Sequence, residues 1–173
     1  MQKRAVFLDR DGVINRSDGK PPNTPEELVL LPKVSEAISR LNAAGFLVFV
    51  VTNQGGVGLG YMTKKSLDRI HEKLLQEVKE GGGRIDEIKA CTHRPRAGCS
   101  CRKPKPGMIL DLAAKYDIDL AKSYMVGDRD SDIEAGRAAG IKTIFIGNRA
   151  EAPEEADFTA PDLFSAAEMI LRE

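Results

Sequence analysis

Val6-Phe7-Leu8-Asp9-Arg10-Asp11-Gly12 is a short apolar run that ends in two carboxylates one residue apart. A buried strand delivering Asp9 and Asp11 at its carboxyl end places two negative charges where an α/β sheet binds ligands. With a side-chain period of two, both acids are expected on one side and Arg10 on the other, so that a metal or phosphate meets both carboxylates. Gly12 then lets the chain turn away.

Working outward, apolar runs alternate with helical stripes. Residues 15–24, rich in Ser, Asp, Gly, Asn and Pro, read as a loop above the acids. Val34, Ala37, Ile38 and Leu41 form a helical stripe that ends at Gly45. The run at residues 46–51 is a second buried strand, followed by Thr52-Asn53-Gln54, a glycine-rich loop at 55–60 and a helix with Leu67, Ile70, Leu74 and Val78 on one face. Gly81-Gly82-Gly83 stops that helix. Residues 85–90 form a weaker strand, and Pro106 takes the first position of a helix carrying Ile109, Leu112, Ala113 and Tyr116. Tyr124-Met125-Val126 is a short strand ending in Gly127-Asp128, residues 130–139 a helix closed by Gly140, and residues 142–146 a fifth strand. The acidic, Pro-containing stretch through Pro161 reads as loop before a terminal amphipathic helix with Leu163, Ala166, Ala167 and Ile170. Nearly all-apolar strands alternating with helices predict a parallel sheet covered on both faces. Right-handed crossovers then bring Asp9/Asp11, Thr52/Asn53, Cys91/His93 and Gly127/Asp128 to one sheet edge.

The 173 residues fit a single domain, residues 1–173, large enough for a full core without disulfides. Lys plus Arg balance Asp plus Glu at 26 each, which removes any general attraction to nucleic acid or anionic membrane. No run approaches the roughly 20 apolar residues of a membrane span, and the N-terminus lacks a long apolar region, so a cytoplasmic location is expected.

Asp9, Asp11 and Asp128, with Asp132 one helical turn further on, form a hard oxygen set suited to Mg²⁺. One carboxylate could then attack phosphorus while the other exchanges a proton with the leaving oxygen. Thr52 offers a hydroxyl and N–H to a phosphate oxygen, and Lys103 or Lys105 a positive charge. Singly, Asp-Gly and Gly-Asp pairs are ordinary turn chemistry; their recurrence after successive buried strands favours a site. A second constellation, Cys91-Thr92-His93 followed by Cys99-Ser100-Cys101, supplies three thiolates and an imidazole, a closed set for structural Zn²⁺. Because Arg102 and Lys103 follow directly, zinc is expected to fix the loop that aims them.

Asp9-Arg10-Asp11-Gly12-Val13, Thr52-Asn53-Gln54, Arg102-Lys103-Pro104 and Gly127-Asp128-Arg129-Asp130-Ser131-Asp132 resemble, in order, the four motifs of haloacid-dehalogenase-type (HAD) phosphatases. The resemblance spans about residues 4–147. It implies a three-layer α/β/α Rossmann-like fold with strand order 5-4-1-2-3 and catalysis through an aspartyl phosphate. Asp9 is then the nucleophile, Asp11 the general acid/base, Thr52 a phosphate anchor and Lys103 the stabiliser of the phosphoryl group. Mg²⁺ is held by Asp9, Asp128 and the Asp11 carbonyl. The zinc loop of Cys91, His93, Cys99 and Cys101 narrows the resemblance to a capless subgroup acting on heptose bisphosphates and histidinol phosphate. Substrate contacts are then expected from Ser17, Asp18, Gly19, Lys20, Asn53, Gln54, Gly55, Arg102 and Arg129. The chain departs from the heptose enzymes at Gly19-Lys20, where a Gly-Tyr step is common, and at Leu59, where they carry an arginine.

A dinucleotide site fits poorly, because the glycine run reads G-G-x-G-x-G. A zinc-stabilised nucleic-acid module using Arg94, Arg96, Arg102, Lys103 and Lys105 conflicts with chain neutrality and the absence of tryptophan. His71 lies beside an apolar stripe and reads as structural. The expected partner is a small phosphorylated metabolite, with neither nucleic acid nor membrane and no obligate protein partner.

Overall fold

The computed structural model describes residues 2–173 of the chain. Six parallel strands form one sheet: β1 (Arg4–Leu8), β2 (Phe46–Asn53), β3 (Glu87–Cys91), β4 (Tyr124–Gly127), β5 (Lys142–Ile146) and β6 (Phe158–Ala160). Their spatial order is β3-β2-β1-β4-β5-β6, the expected order with one strand added at the edge. Five helices connect and cover them: α1 (Val34–Ala43), α2 (Lys64–Glu80), α3 (Gly107–Tyr116), α4 (Asp130–Ala139) and α5 (Leu163–Arg172). Among the described residues, no helix is long and apolar enough to cross a membrane.

Period-two alternation in the strands divides the core in two. Val6, Leu8, Val48, Val50 and Val126 pack with the buried stripes of α1, α2 and α5. Ala5, Phe7, Phe49, Val51 and Met125 face α3 and α4. β1 sits between β2 and β4, pairing Leu8 with Val50 on one side and Val126 on the other. The chain leaving β1 therefore emerges at the middle of the sheet edge, where the strand order reverses.

Three expectations need correction. The stretch read as loop through Pro161 contains β6, which pairs Ile144 with Phe158 and Ile146 with Ala160. A three-residue edge strand carries no apolar run long enough to announce itself, and its position is fixed from outside: Asp157 Oδ2 accepts from the Thr143 backbone at 2.8 Å. Pro106 precedes α3 rather than opening it. β1 ends at Leu8, so the two-residue alternation does not carry through Asp9, Arg10 and Asp11, and Arg10 does not point away from the acids.

Candidate active site and metal centres

Successive strand ends deliver the site residues. Asp9 follows β1, its N–H bonded to Val126 O at 3.0 Å; Thr52 and Asn53 close β2; Asp128 follows β4; Asp132 lies in the first turn of α4, its Oδ2 accepting from Arg129 N at 3.1 Å. Gly12 makes the convergence possible, since at φ +85° a Cβ there would sit 2.1 Å from Asp128 Oδ2. Asp9, Thr52, Asn53 and Asp132 border a cleft of about 450 Å³.

Asp9, Asp128 and Asp132 place carboxylate oxygens within 4.8 Å of one another. Lys103 is buried among them and donates to Asp9 Oδ1 at 3.0 Å, Asp132 Oδ1 at 2.6 Å and Val51 O at 2.8 Å. Burial opposes its charge, but the Asp9 and Asp132 carboxylates hold the Lys103 pKa above the ordinary lysine range. One ammonium does not balance three acids. Burial first, and then the charge of Asp9, push Asp128 up to about 6 and Asp132 up to about 7. Asp128 Oδ1 is buried without a hydrogen-bond partner. An unpaired carboxylate oxygen in an over-negative, all-oxygen cluster fits a hard divalent cation such as Mg²⁺.

Asp11 stands beside this cluster, outside the group of converging oxygens. Its Oδ1 accepts from Arg10 Nη2 at 2.8 Å and Nε at 3.1 Å and from Asn15 Nδ2 at 3.0 Å, while Oδ2 accepts from Gln54 Nε2 at 3.1 Å. Gln54 also donates to Thr52 Oγ1 at 2.9 Å. Asn53 is engaged at both ends of its amide, donating to Lys103 O and accepting from Lys103 N, each at 3.0 Å. It locks the backbone that carries the lysine.

The four donors of Cys91, His93, Cys99 and Cys101 also lie within 4.8 Å of one another. Cys91 Sγ is 3.0 Å from Cys101 Sγ and 3.6 Å from Cys99 Sγ, and His93 Nδ1 is 3.1 Å from Cys101 Sγ. All three cysteines are free thiols. Burial, then the neighbouring thiols, push Cys101 up to about 12. For Cys99 burial acts in the opposite direction to the hydrogen bonds from Arg102 and the other thiols, which together hold it down to about 6. Facing thiols that cannot all ionise together, completed by one imidazole, fit a tetrahedral Zn²⁺. The loop is seated against the glycine run: a Cβ on Gly58 would come within 2.7 Å of Thr92 O and Arg94 N. Lys105 donates to Cys99 O at 2.8 Å, so the two candidate lysines separate, Lys105 bracing the thiol loop and Lys103 entering the acids.

A HAD-hydrolase-like family model matches residues 100–167. Over 147 residues, the chain is 44% identical to a D-glycero-beta-D-manno-heptose-1,7-bisphosphate 7-phosphatase of Rhodopseudomonas palustris, covering 81% of each chain. The chain belongs to this phosphatase family. A Burkholderia mallei relative named for the alpha anomer is 40% identical over 153 residues, covering 84% of this chain and 80% of the relative. The structure of the Bordetella bronchiseptica D,D-heptose 1,7-bisphosphate phosphatase, complexed with magnesium and phosphate, superposes with a TM-score of 0.90 at 37% identity, covering 98% of each chain.

Within this family fold, the cleft gathers most of the residues expected from sequence. Asp9, Asp11, Thr52 and Lys103 border it, as do Arg102 and Arg129. Ser17, Gly19 and Lys20 close it from the loop after β1, together with Asn53, Gln54 and Gly55. Asp18 does not border it. Sequence reasoning missed what holds Asp11. Arg10, expected on the far side, is instead fully buried with its Nη1 2.9 Å from Nε2 of His71, the residue read as structural. A charged residue inside an otherwise apolar and acidic run was the available signal, since a buried arginine must find partners.

Proposed function

We propose that the chain is a magnesium-dependent phosphatase that removes the 7-phosphate of D-glycero-D-manno-heptose 1,7-bisphosphate through an aspartyl phosphate on Asp9. The observation that carries this reading is the buried arrangement of Lys103 between Asp9 and Asp132, beside the unpaired oxygen of Asp128. Asp9 attacks phosphorus, the bond from phosphorus to the sugar oxygen breaks, and Asp11 gives its proton to that oxygen. Asp11, now a carboxylate, takes a proton from the water that attacks phosphorus next; the bond to Asp9 breaks and phosphate leaves. Lys103 offsets charge on the phosphoryl oxygens, and Thr52 donates to one of them. Asp9, Asp128 and the Asp11 carbonyl would hold Mg²⁺, which supplies Lewis-acid stabilisation of that charge. Cys91, His93, Cys99 and Cys101 would hold structural Zn²⁺, which fixes the loop leading into Arg102 and Lys103.

The names of the relatives support the heptose assignment, and the surroundings of the cleft are compatible with it. Lys20, Arg102 and Arg129 border the opening and supply cationic groups for a second phosphate away from Asp9. The test compares kcat/KM for both anomers of the heptose bisphosphate, histidinol phosphate and hexose monophosphates. A heptose bisphosphate should exceed every monophosphate by about tenfold or more, the worth of one well-placed charged contact. Preference for histidinol phosphate would overturn the assignment.

A further inference from the structure

The chemistry proposed above gives no part to Arg10, although its side chain is completely buried. A guanidinium removed from water costs several kcal/mol unless its donors are met. Here Nη2 and Nε both reach Asp11 Oδ1, and Nη1 lies 2.9 Å from His71 Nε2. Because a guanidinium only donates, His71 Nε2 must be the acceptor and the ring proton must sit on Nδ1. Burial first, and then the charge of Arg10, hold the His71 pKa down to about 4, so the acceptor is present at neutral pH.

The contacts form one chain from α2 to the cleft. His71 fixes Arg10, and Arg10 grips one oxygen of Asp11 with two donors. Asn15, also fully buried, adds a third donor to the same oxygen. Asp11 Oδ2 has a single donor, Gln54, and so keeps a lone pair for the travelling proton. Asp11 lies beyond the last residue of β1, where sheet pairing no longer holds the backbone. Its carboxyl orientation depends on these side chains.

We propose that His71 and Arg10 are positioning residues for proton transfer by Asp11, His71 acting through Arg10 as a neutral hydrogen-bond acceptor. This rests on the reading that Asp11 protonates the leaving oxygen. His71 is hydrogen-bonded to Arg10 and not to Asp11, and it does not border the cleft, so its variants act on Asp11 through Arg10.

The test uses kcat/KM, which reports the first phosphoryl transfer, for two substrates: the heptose bisphosphate, whose alkoxide needs a proton to leave, and p-nitrophenyl phosphate, whose phenolate does not. His71→Met should lower the sugar value about tenfold, part of the 10²–10⁴-fold that a general acid contributes, and the nitrophenyl value less than about twofold. His71→Gln, whose amide oxygen stands near the Nε2 position, should restore the sugar value to within about threefold of the wild type, and the shorter His71→Asn should not. Should His71→Met fail to fold, the Gln and Asn variants carry the same discrimination. Equal losses on both substrates, or a Gln variant no better than Asn, would overturn the proposal. Asp11→Asn separates the two readings. If it shows the substrate split and the His71 variants do not, positioning fails alone; if it shows no split, the acid role of Asp11 fails and the positioning proposal with it.

Discussion

The oxygen cluster draws its donors from three separate elements, Asp9 after β1, Asp128 after β4 and Asp132 in α4, whereas the sulfur cluster draws all four from residues 91–101. The first is assembled by the sheet and carries its own counter-cation in Lys103; the second runs from the end of β3 into one loop, has no counter-cation among its donors, and sets thiol against thiol. The difference matches the two roles proposed for the metals. The carboxylates are positioned by the ends of β1 and β4 and by the first turn of α4, which pack into the core without any help from a cation. Between Cys91, which is buried in the core, and Cys99, residues 93–98 are exposed, so on the proposed reading zinc would hold the shape of this stretch. Lys103, two residues beyond Cys101, joins the clusters, so zinc bound to the loop would help to place a charge in a site assembled by the whole sheet.

The comparison can be broken most sharply at Asp9. Asp9→Asn should lower kcat on the order of 10⁴-fold while thermal unfolding stays within a few degrees of the wild type, because a nucleophile is removed without loss of volume. An active, correctly folded Asp9→Asn protein would refute covalent catalysis. Omitting Mg²⁺ from zinc-loaded protein should likewise abolish turnover and leave circular dichroism unchanged. Removing zinc, or Cys101→Ser, should lower kcat about 10- to 100-fold and also expose residues 91–103 to proteolysis. If both metals prove dispensable for loop order, the contrast between the clusters is wrong.

A smaller effect concerns His71. Its folded pKa of about 4 lies below the ordinary histidine value of 6.5, so as pH falls the unfolded chain takes up the proton first. The stability linked to neutral His71 is fully present above about pH 6.5 and is lost between there and about pH 4, to a total of roughly 3 kcal/mol. Denaturant unfolding of the wild type should fall more steeply with acid over that window than unfolding of His71→Gln. Parallel curves would contradict a buried neutral imidazole. The smallest effect lies at the sheet edge. Asp157→Ala removes the tie to Thr143 and should cost about 1 kcal/mol without changing kcat, since β6 lies away from the cleft.

The fold was legible because its signals are long or periodic. The first five strands and the stripes of α1, α2, α3 and α5 appear as apolar patterns, α4 is marked by its Gly140 stop, and the order of the first five strands is the one that the family resemblance implies. β6 was not legible: Phe158–Ala160 is a strand only because β5 and Asp157 make it one. In the site, residue types revealed the acids, the lysine and the thiol cluster. What they could not reveal is which polar side chains serve the substrate and which serve the protein. Asn53 and Gln54 read as substrate contacts, yet the Asn53 amide clamps Lys103 and the Gln54 amide bridges Asp11 and Thr52. Arg10 escapes the strand period because β1 ends at Leu8, two residues earlier.

The unequal roles of Asp9 and Asp11 are tested most directly by the stereochemical course at phosphorus, followed with a substrate whose transferred phosphoryl group is made chiral by oxygen isotopes. Two in-line displacements, first by Asp9 and then by water, give net retention of configuration. Inversion would mean that water attacks the substrate directly and would contradict an aspartyl phosphate on Asp9.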